Sequence, residues 1–178
     1  MGTYRIWYLS LAALVAVVGP LSAQGQGEPP LKMVYAVWKS PGGAENAINH
    51  MNKKTYDLVE AFAVLVKDSS GKVEIKKRHN KAGGSAQAMQ ASETIDTAIA
   101  RLSALPANAA DSAAGYAPAA GSPASRLSEK DLKRVVSMFK PGESAALLIS
   151  PKPDVTQVQK YVGMGGQPGP EFVVVDIQ

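Results

Sequence analysis

The chain contains no cysteine among its 178 residues. This absence excludes disulfide bonds, thiol catalysis, cysteine-based metal sites and lipid attachment through a thiol. A domain built from this chain must therefore be held together by its hydrophobic core. About 155 residues remain once the amino-terminal segment discussed below is set aside, and a domain of that size buries roughly 70% of the surface that its unfolded chain exposes. A core alone is therefore sufficient.

Histidine is almost as scarce, since His50 and His79 are the only two. They fall on different predicted elements, and neither has a carboxylate at the spacing found in zinc proteases. This pattern disfavours metal binding, and two solvated histidines are the simpler interpretation. We predict no metal and no cofactor.

The usual catalytic patterns are also missing. No serine lies in a G-x-S-x-G motif, and Ser85 and Ser92 have no evident base as a partner. Two glycine-rich strings, 41–43 (PGG) and 163–169 (GMGGQPG), lack the spacing of phosphate-binding loops. The first precedes a predicted helix whose amides could hold an anion, and the second follows a helix, where glycine is a common terminator. We predict no catalytic residues and a non-enzymatic domain.

Charge is low and mostly scattered, with a formal net charge of +4. Nucleic-acid binding requires a clustered basic footprint, so we expect no nucleic-acid partner. The one local run is 76–79 (KKRH), which forms a basic strip together with Lys72. The strip could meet an anionic lipid or polymer. Lysines that protect an exposed, solvated edge strand from aggregation are the favoured explanation.

The amino terminus has the organisation of a secretory signal. Arg5 precedes the apolar run 6–18 (IWYLSLAALVAVV), and small residues lead to a predicted cut after Ala23. The run is shorter than the roughly 20 residues that a bilayer core of about 30 Å requires. We predict a signal peptide at 1–23, a flexible leader at 24–31 and a periplasmic or secreted protein. The alternative is an uncleaved membrane anchor, since Leu21, at the third position before the predicted cut, is not the small residue that a cleavage site favours.

The first half of the remaining chain predicts a strand, a helix and a hairpin. Six consecutive apolar residues at 33–38 indicate a strand buried on both faces. Ser40 is suited to cap the next helix, with Pro41 at its first position. The apolar run 58–66, a turn at 68–71 and an alternating second strand then indicate a β-hairpin with one central and one exposed strand.

Two amphipathic helices are predicted next. The segment 82–105 has an apolar stripe at helical spacing, formed by Ala88, Ala91, Ile95, Ile99 and Leu102. A further helix begins where Ser128 and Asp131 form a capping pair and Leu127 can pack on Leu132. Its stripe consists of Leu132, Val135, Val136 and Phe139.

The carboxy-terminal part predicts a strand, a helix and a final strand. Residues 144–150 are mostly apolar and indicate a buried strand. Asp154 is suited to cap a helix that carries Val155, Val158 and Val162. The last segment, 171–178, alternates little, so we expect a mostly buried strand.

The segment 103–125 (SALPANAADSAAGYAPAAGSPAS) consists mainly of alanine, serine, proline and glycine. Three prolines and Asp111 interrupt it, so it cannot form an apolar membrane hairpin of roughly 18 residues. Neither half of the chain has enough strands to bury a sheet alone, which argues against a linker between domains. We predict one α/β domain over 32–178, with a surface crossover at 103–126.

Four motifs in order resemble a bacterial family of unknown function that is usually labelled as uncharacterised membrane proteins. They are 40–45 (SPGGAE), 66–73 (VKDSSGKV), Asn80 and 140–147 (KPGESAAL). The resemblance implies a ferredoxin-like sandwich and brings no catalytic residues. This chain lacks the glycine-rich apolar hairpin that the family carries after the asparagine.

Together these observations predict an α+β fold: a ferredoxin-like sandwich with one mainly antiparallel sheet of about five strands and helices on one face. We expect an exported binding or structural module of the cell envelope. Its partners could be another protein or a second copy paired through a sheet edge, and membrane contact without spanning is a further route. The alternatives are a membrane-associated protein with an uncleaved anchor and a small ligand-sensing or hydrolytic domain.

Overall fold

The computed structural model describes residues 28–104, 128–165 and 168–177. The predicted signal peptide and most of the predicted crossover lie outside these ranges. The elements, in chain order, are β1 (Leu31–Trp38), α1 (Gly43–Asn49), α2 (Lys53–Asp57), β2 (Ala61–Lys67), β3 (Val73–Asn80), α3 (Ala86–Ala104), α4 (Glu129–Met138), β4 (Ser144–Pro151), a 3-10 turn (Lys152–Asp154), α5 (Val155–Met164) and β5 (Glu171–Asp176).

The strands form one five-stranded sheet in the order β3-β2-β4-β1-β5, and every neighbouring pair is antiparallel. The α+β class with a single antiparallel sheet is thus confirmed. It follows that β1 and β2 are parallel with β4 between them, and that β4 and β5 are parallel with β1 between them. This is the connectivity of two interleaved split β-α-β units, to which β3 adds an edge strand. The ferredoxin-like assignment stays a prediction that this connectivity supports.

The helices cover both faces of the sheet, so the prediction of a single helical face is wrong. Alternate residues of β1 point to opposite sides: Met33 and Tyr35 join a core with α3 and α4, whereas Val34 and Ala36 join a core with α1 and α5. The reason is that the central strands are apolar on both faces, as predicted, and each face must be covered to exclude water. Helices α3 and α4, which follow β3 in the chain, cover one face, and helices α1 and α5 cover the other.

The two edge strands differ from the three central ones in exposure. The hairpin of β2 and β3 forms as predicted, with β3 at the edge and more exposed. The expectation that the final strand is mostly buried is wrong, because β5 is the opposite edge. Val173 and Val175 are buried against α4, while Val174 and Asp176 on the other face are exposed.

Helix α1 does not begin where the sequence predicted. Gly42, not Ser40, is its N-cap, and Ser40 and Pro41 belong to the preceding turn. Gly43 then packs so closely on Trp38 that an added Cβ would lie 2.5 Å from the Trp38 Cβ. Glycine is therefore the residue that fits at the first position of α1, which begins after the proline.

The other predicted helices are largely confirmed. All five residues of the α3 stripe are buried. The Asp131 N–H donates to Ser128 Oγ at 3.1 Å, as the capping pair predicted. Asp154 is the N-cap residue of α5 but makes no side-chain capping bond, so that part of the prediction is wrong. Within the described ranges, no helix has both the length and the hydrophobicity needed to cross a bilayer.

Candidate ligand-binding cleft

A one-turn helix that the sequence did not predict forms one side of the candidate site. Asn52 caps α2: its Oδ1 accepts from the Thr55 N–H at 2.9 Å and from the Thr55 hydroxyl at 3.1 Å. Thr55 is fully buried and anchors the turn to the protein. Lys53 and Asp57, at the two ends of this turn, are exposed, and Tyr56 is half-buried. The capped turn therefore presents two charges and a ring beside the edge of the sheet.

The register of β3 supplies the opposite side. His79 pairs with Phe62 across the strands, and Ala63 pairs with Arg78. Since cross-strand partners lie on the same face, His79 points toward α1 and α2, and Arg78 points toward α3. The basic strip seen in the sequence is consequently split between two faces. Lys77 Nζ donates to Asn49 Oδ1 at 2.8 Å on the α1 side.

Three rings pack together at this edge. The imidazole of His79 stacks on Phe62 with a centroid distance of 5.3 Å and an angle of 27°. Tyr56 meets both rings edge-on, at 5.5 Å from Phe62 and 5.6 Å from His79. Phe62 is fully buried and His79 is half-buried. His79 is therefore part of an aromatic wall and not the solvated histidine that we predicted. His50 is exposed, and its Nδ1 hydrogen-bonds the Asn46 carbonyl at 2.7 Å.

A cleft of about 510 Å³ opens in front of this wall, which is within the range of small-molecule sites. The residues that line it include two with aromatic rings and three with charged side chains: Lys53, Tyr56, Asp57, His79, Lys81 and Ala82.

One of the two lysines is fixed in place. Lys81 Nζ lies 2.8 Å from the Glu60 Oε1, and it also donates to the Asp57 carbonyl at 3.2 Å. The Glu60 side chain is only 7% exposed. A buried carboxylate needs a paired cation, so the charge of Lys81 already has a structural role in balancing Glu60.

The remaining polar side chains that line the cleft have no hydrogen-bond or ion-pair partner among the described residues. Within the described ranges, the side chains of Lys53, Tyr56, Asp57 and His79 make no hydrogen bond and no ion pair. The cleft thus offers an aromatic wall, one unpaired cation and one unpaired carboxylate to a molecule that enters it.

The other residues singled out in the sequence have structural roles. The Ala44 amide next to the first glycine string is occupied by Ser144 Oγ at 2.9 Å. In the second string, Gly165 packs on the backbone of Ala47. Ser85 Oγ accepts from the Ala88 N–H at 3.1 Å, and Ser92 Oγ accepts from Arg78 at 3.0 Å. No group of three or more histidine or carboxylate side chains able to hold a metal occurs in the described part of the chain.

Comparison with known proteins found no matching family model, no matching curated protein and no matching solved structure. The family resemblance drawn from the four motifs therefore stays a prediction.

Proposed function

We propose that this chain is an exported, non-enzymatic binding module of the cell envelope, and that it binds a small molecule in the cleft between α2 and β3. The observation that carries the binding role is the set of uncommitted polar side chains against an aromatic wall. Small-molecule sites typically combine an apolar surface with a few polar groups that fix orientation. Lys53, Asp57 and His79 supply those groups here.

Export is supported by the charge, hydrophobic-run and small-residue order of residues 1–23. The absence of cysteine is compatible with an oxidising compartment, because no thiol can be oxidised or mispaired there. Intact mass of the protein recovered from a producing bacterium tests this part. We expect the mass of a chain that begins at Gln24, directly after Ala23. A mass that retains residues 1–23 would favour the anchored alternative.

Binding is tested by titrating the isotope-labelled protein with a panel of small metabolites and following its amide resonances. We expect at least one compound to shift the amides of 53–57 and 79–82 selectively, since these segments line the cleft. The two histidines provide matched variants. His79→Ala removes part of the wall and should weaken binding at least about tenfold, whereas His50→Ala, at an exposed position outside the cleft, should leave it unchanged.

The binding role is wrong if no member of a chemically diverse panel shifts these segments. It is equally wrong if binding is insensitive to His79→Ala while that variant retains the thermal midpoint of the parent protein.

A further inference from the structure

The charges at the two ends of α2 are not placed for the stability of that helix. Lys53 is its first residue and Asp57 its last, in a helix of five residues. Helix dipoles favour acidic residues at the start and basic residues at the end, which is the reverse of this arrangement. Residues at i and i+4 lie on the same side of a helix, yet Lys53 and Asp57 form no ion pair. Local stability therefore gives no reason for either charge.

Both charges line the same cleft as the aromatic wall. The third charge there, Lys81, is already balanced by Glu60 at 2.8 Å. The free charges that a ligand meets are consequently one cation and one carboxylate, held one helical turn apart. An anionic ligand would meet Asp57 with like charge, and a cationic ligand would meet Lys53 with like charge. A ligand with both kinds of group satisfies each side chain.

From this arrangement we infer that the cleft binds a small zwitterion that carries a flat apolar ring, the chemical class of aromatic amino acids. The ligand carboxylate pairs with the Lys53 ammonium, the ligand ammonium pairs with the Asp57 carboxylate, and the ring lies against Tyr56 and His79. This inference rests on the proposed binding role of the same cleft. Aromatic contacts and charge-assisted hydrogen bonds together supply the specificity.

Three probes that share one ring system separate the contributions. L-tryptophan has both charges, tryptamine lacks the carboxylate and indole-3-propionate lacks the amine. Titrations of the full protein, followed by calorimetry and by amide shifts, should place L-tryptophan in the cleft with an affinity at least about tenfold above that of either analogue. Loss of one charge-assisted contact corresponds to a change of that size.

Variants of α2 then assign each ligand group to its partner. Lys53→Met should weaken L-tryptophan about tenfold and remove its advantage over tryptamine, while its advantage over indole-3-propionate remains. Asp57→Asn should have the opposite pattern, removing the advantage over indole-3-propionate alone. Lys54→Met is the matched control, because Lys54 is exposed on the same turn and does not line the cleft. It should leave all three affinities unchanged.

Several outcomes would overturn the zwitterion inference. Equal affinity for the three probes at the cleft would reject it but leave the binding role intact. It would be rejected as well if the affinity for L-tryptophan were unchanged by both Lys53→Met and Asp57→Asn, provided that the variants keep the parent thermal midpoint. It would also be rejected if none of the three probes shifted the amide resonances of residues 53–57 and 79–82. The binding role would then be judged separately by the wider metabolite panel.

Discussion

The backbone N–H of Ala44 donates to the Oγ of Ser144 at 2.9 Å, so the first residue of β4 caps a helix that precedes it by 100 residues. The same hydroxyl donates to the Ser40 carbonyl at 2.6 Å. Ser144 is fully buried. One side chain thus satisfies an amide at the start of α1 and a carbonyl of the preceding turn, and it ties the helix layer to the centre of the sheet.

Replacing Ser144 by alanine should lower the free energy of unfolding by about 1–3 kcal/mol, because both partners are left unsatisfied in the interior. Chemical denaturation of the parent and variant measures this change. Ser137→Ala is the control, since Ser137 is an exposed residue of α4 and should stay within about 0.5 kcal/mol of the parent. Equal effects of the two substitutions would contradict a capping role for Ser144.

Two glycines near the end of α5 should respond to alanine with opposite signs. A Cβ on Gly165 would lie 2.6 Å from the Ala47 Cα, and backbone cannot move aside easily, so Gly165→Ala should destabilise by about 1–3 kcal/mol. Gly163 is within the helix, and its Cβ would make an ordinary contact at 3.7 Å with Phe172. Gly163→Ala should stabilise by about 0.5–1 kcal/mol. Thermal midpoints measure both. A Gly165→Ala protein as stable as the parent would exclude this close approach of α1 and α5.

The burial of the Tyr35 hydroxyl should lower the free energy of unfolding at high pH. Its hydroxyl is buried without a hydrogen-bond partner among the described residues, and burial raises its pKa well above the usual value of 10.0. Above pH 10 the unfolded tyrosine loses a proton that the folded one keeps, so unfolding is favoured increasingly as the pH rises.

Tyr35→Phe removes this pH dependence. Relative to the parent, the variant should gain about 1.4 kcal/mol for each pH unit above 10. Denaturation curves of both proteins at pH 8 and at pH 11 give the difference, in which the contributions of all other groups cancel. If the two stabilities run parallel between these pH values, the burial of the phenol does not act as described.

The ion pair of Arg78 with Asp96 holds the edge strand β3 against α3. The two terminal guanidinium nitrogens, Nη1 and Nη2, contact the carboxylate at 2.5 and 2.9 Å, and this contact raises the pKa of Arg78. The side chains are 34% and 53% exposed, so solvent screens the attraction. A double-mutant cycle with Arg78→Met and Asp96→Asn should give a coupling of about 0.5–1 kcal/mol. The coupling should shrink in 1 M salt, and a coupling that is unchanged there would contradict an electrostatic origin.

Much of the fold could be predicted from local pattern. The unbroken apolar run at 33–38 predicted a strand buried on both faces, and the turn at Asp68 and Gly71 predicted the hairpin. The α3 stripe predicted the buried side of that helix. These features depend on residues close in sequence, where periodicity and turn chemistry act. Placement of helices on both faces was missed, because it depends on where the chain after β3 returns, which no short segment encodes.

The cleft could not be predicted for a related reason. Tyr56 and His79 come into contact because α2 lies beside the edge of the sheet and because the register of β3 places His79 opposite Phe62. Register depends on the whole hairpin, including the irregularity between Val64 and Leu65. Asn52 followed by Thr55 is the signal that could have indicated the one-turn helix, since an asparagine at that spacing can cap a turn.

The strand order has a consequence for how the chain folds as it is made. Among the described residues, the strands that pair with β1 are β4 and β5. A nascent chain that ends before Ser144 therefore contains β1 with neither neighbour, and only the β2–β3 hairpin can pair. Long-range pairing of this kind is slow to form. Assembly of the central sheet must therefore wait until β4 has left the ribosome, and a polypeptide whose sheet has not formed by then stays suited to passage through a translocation channel.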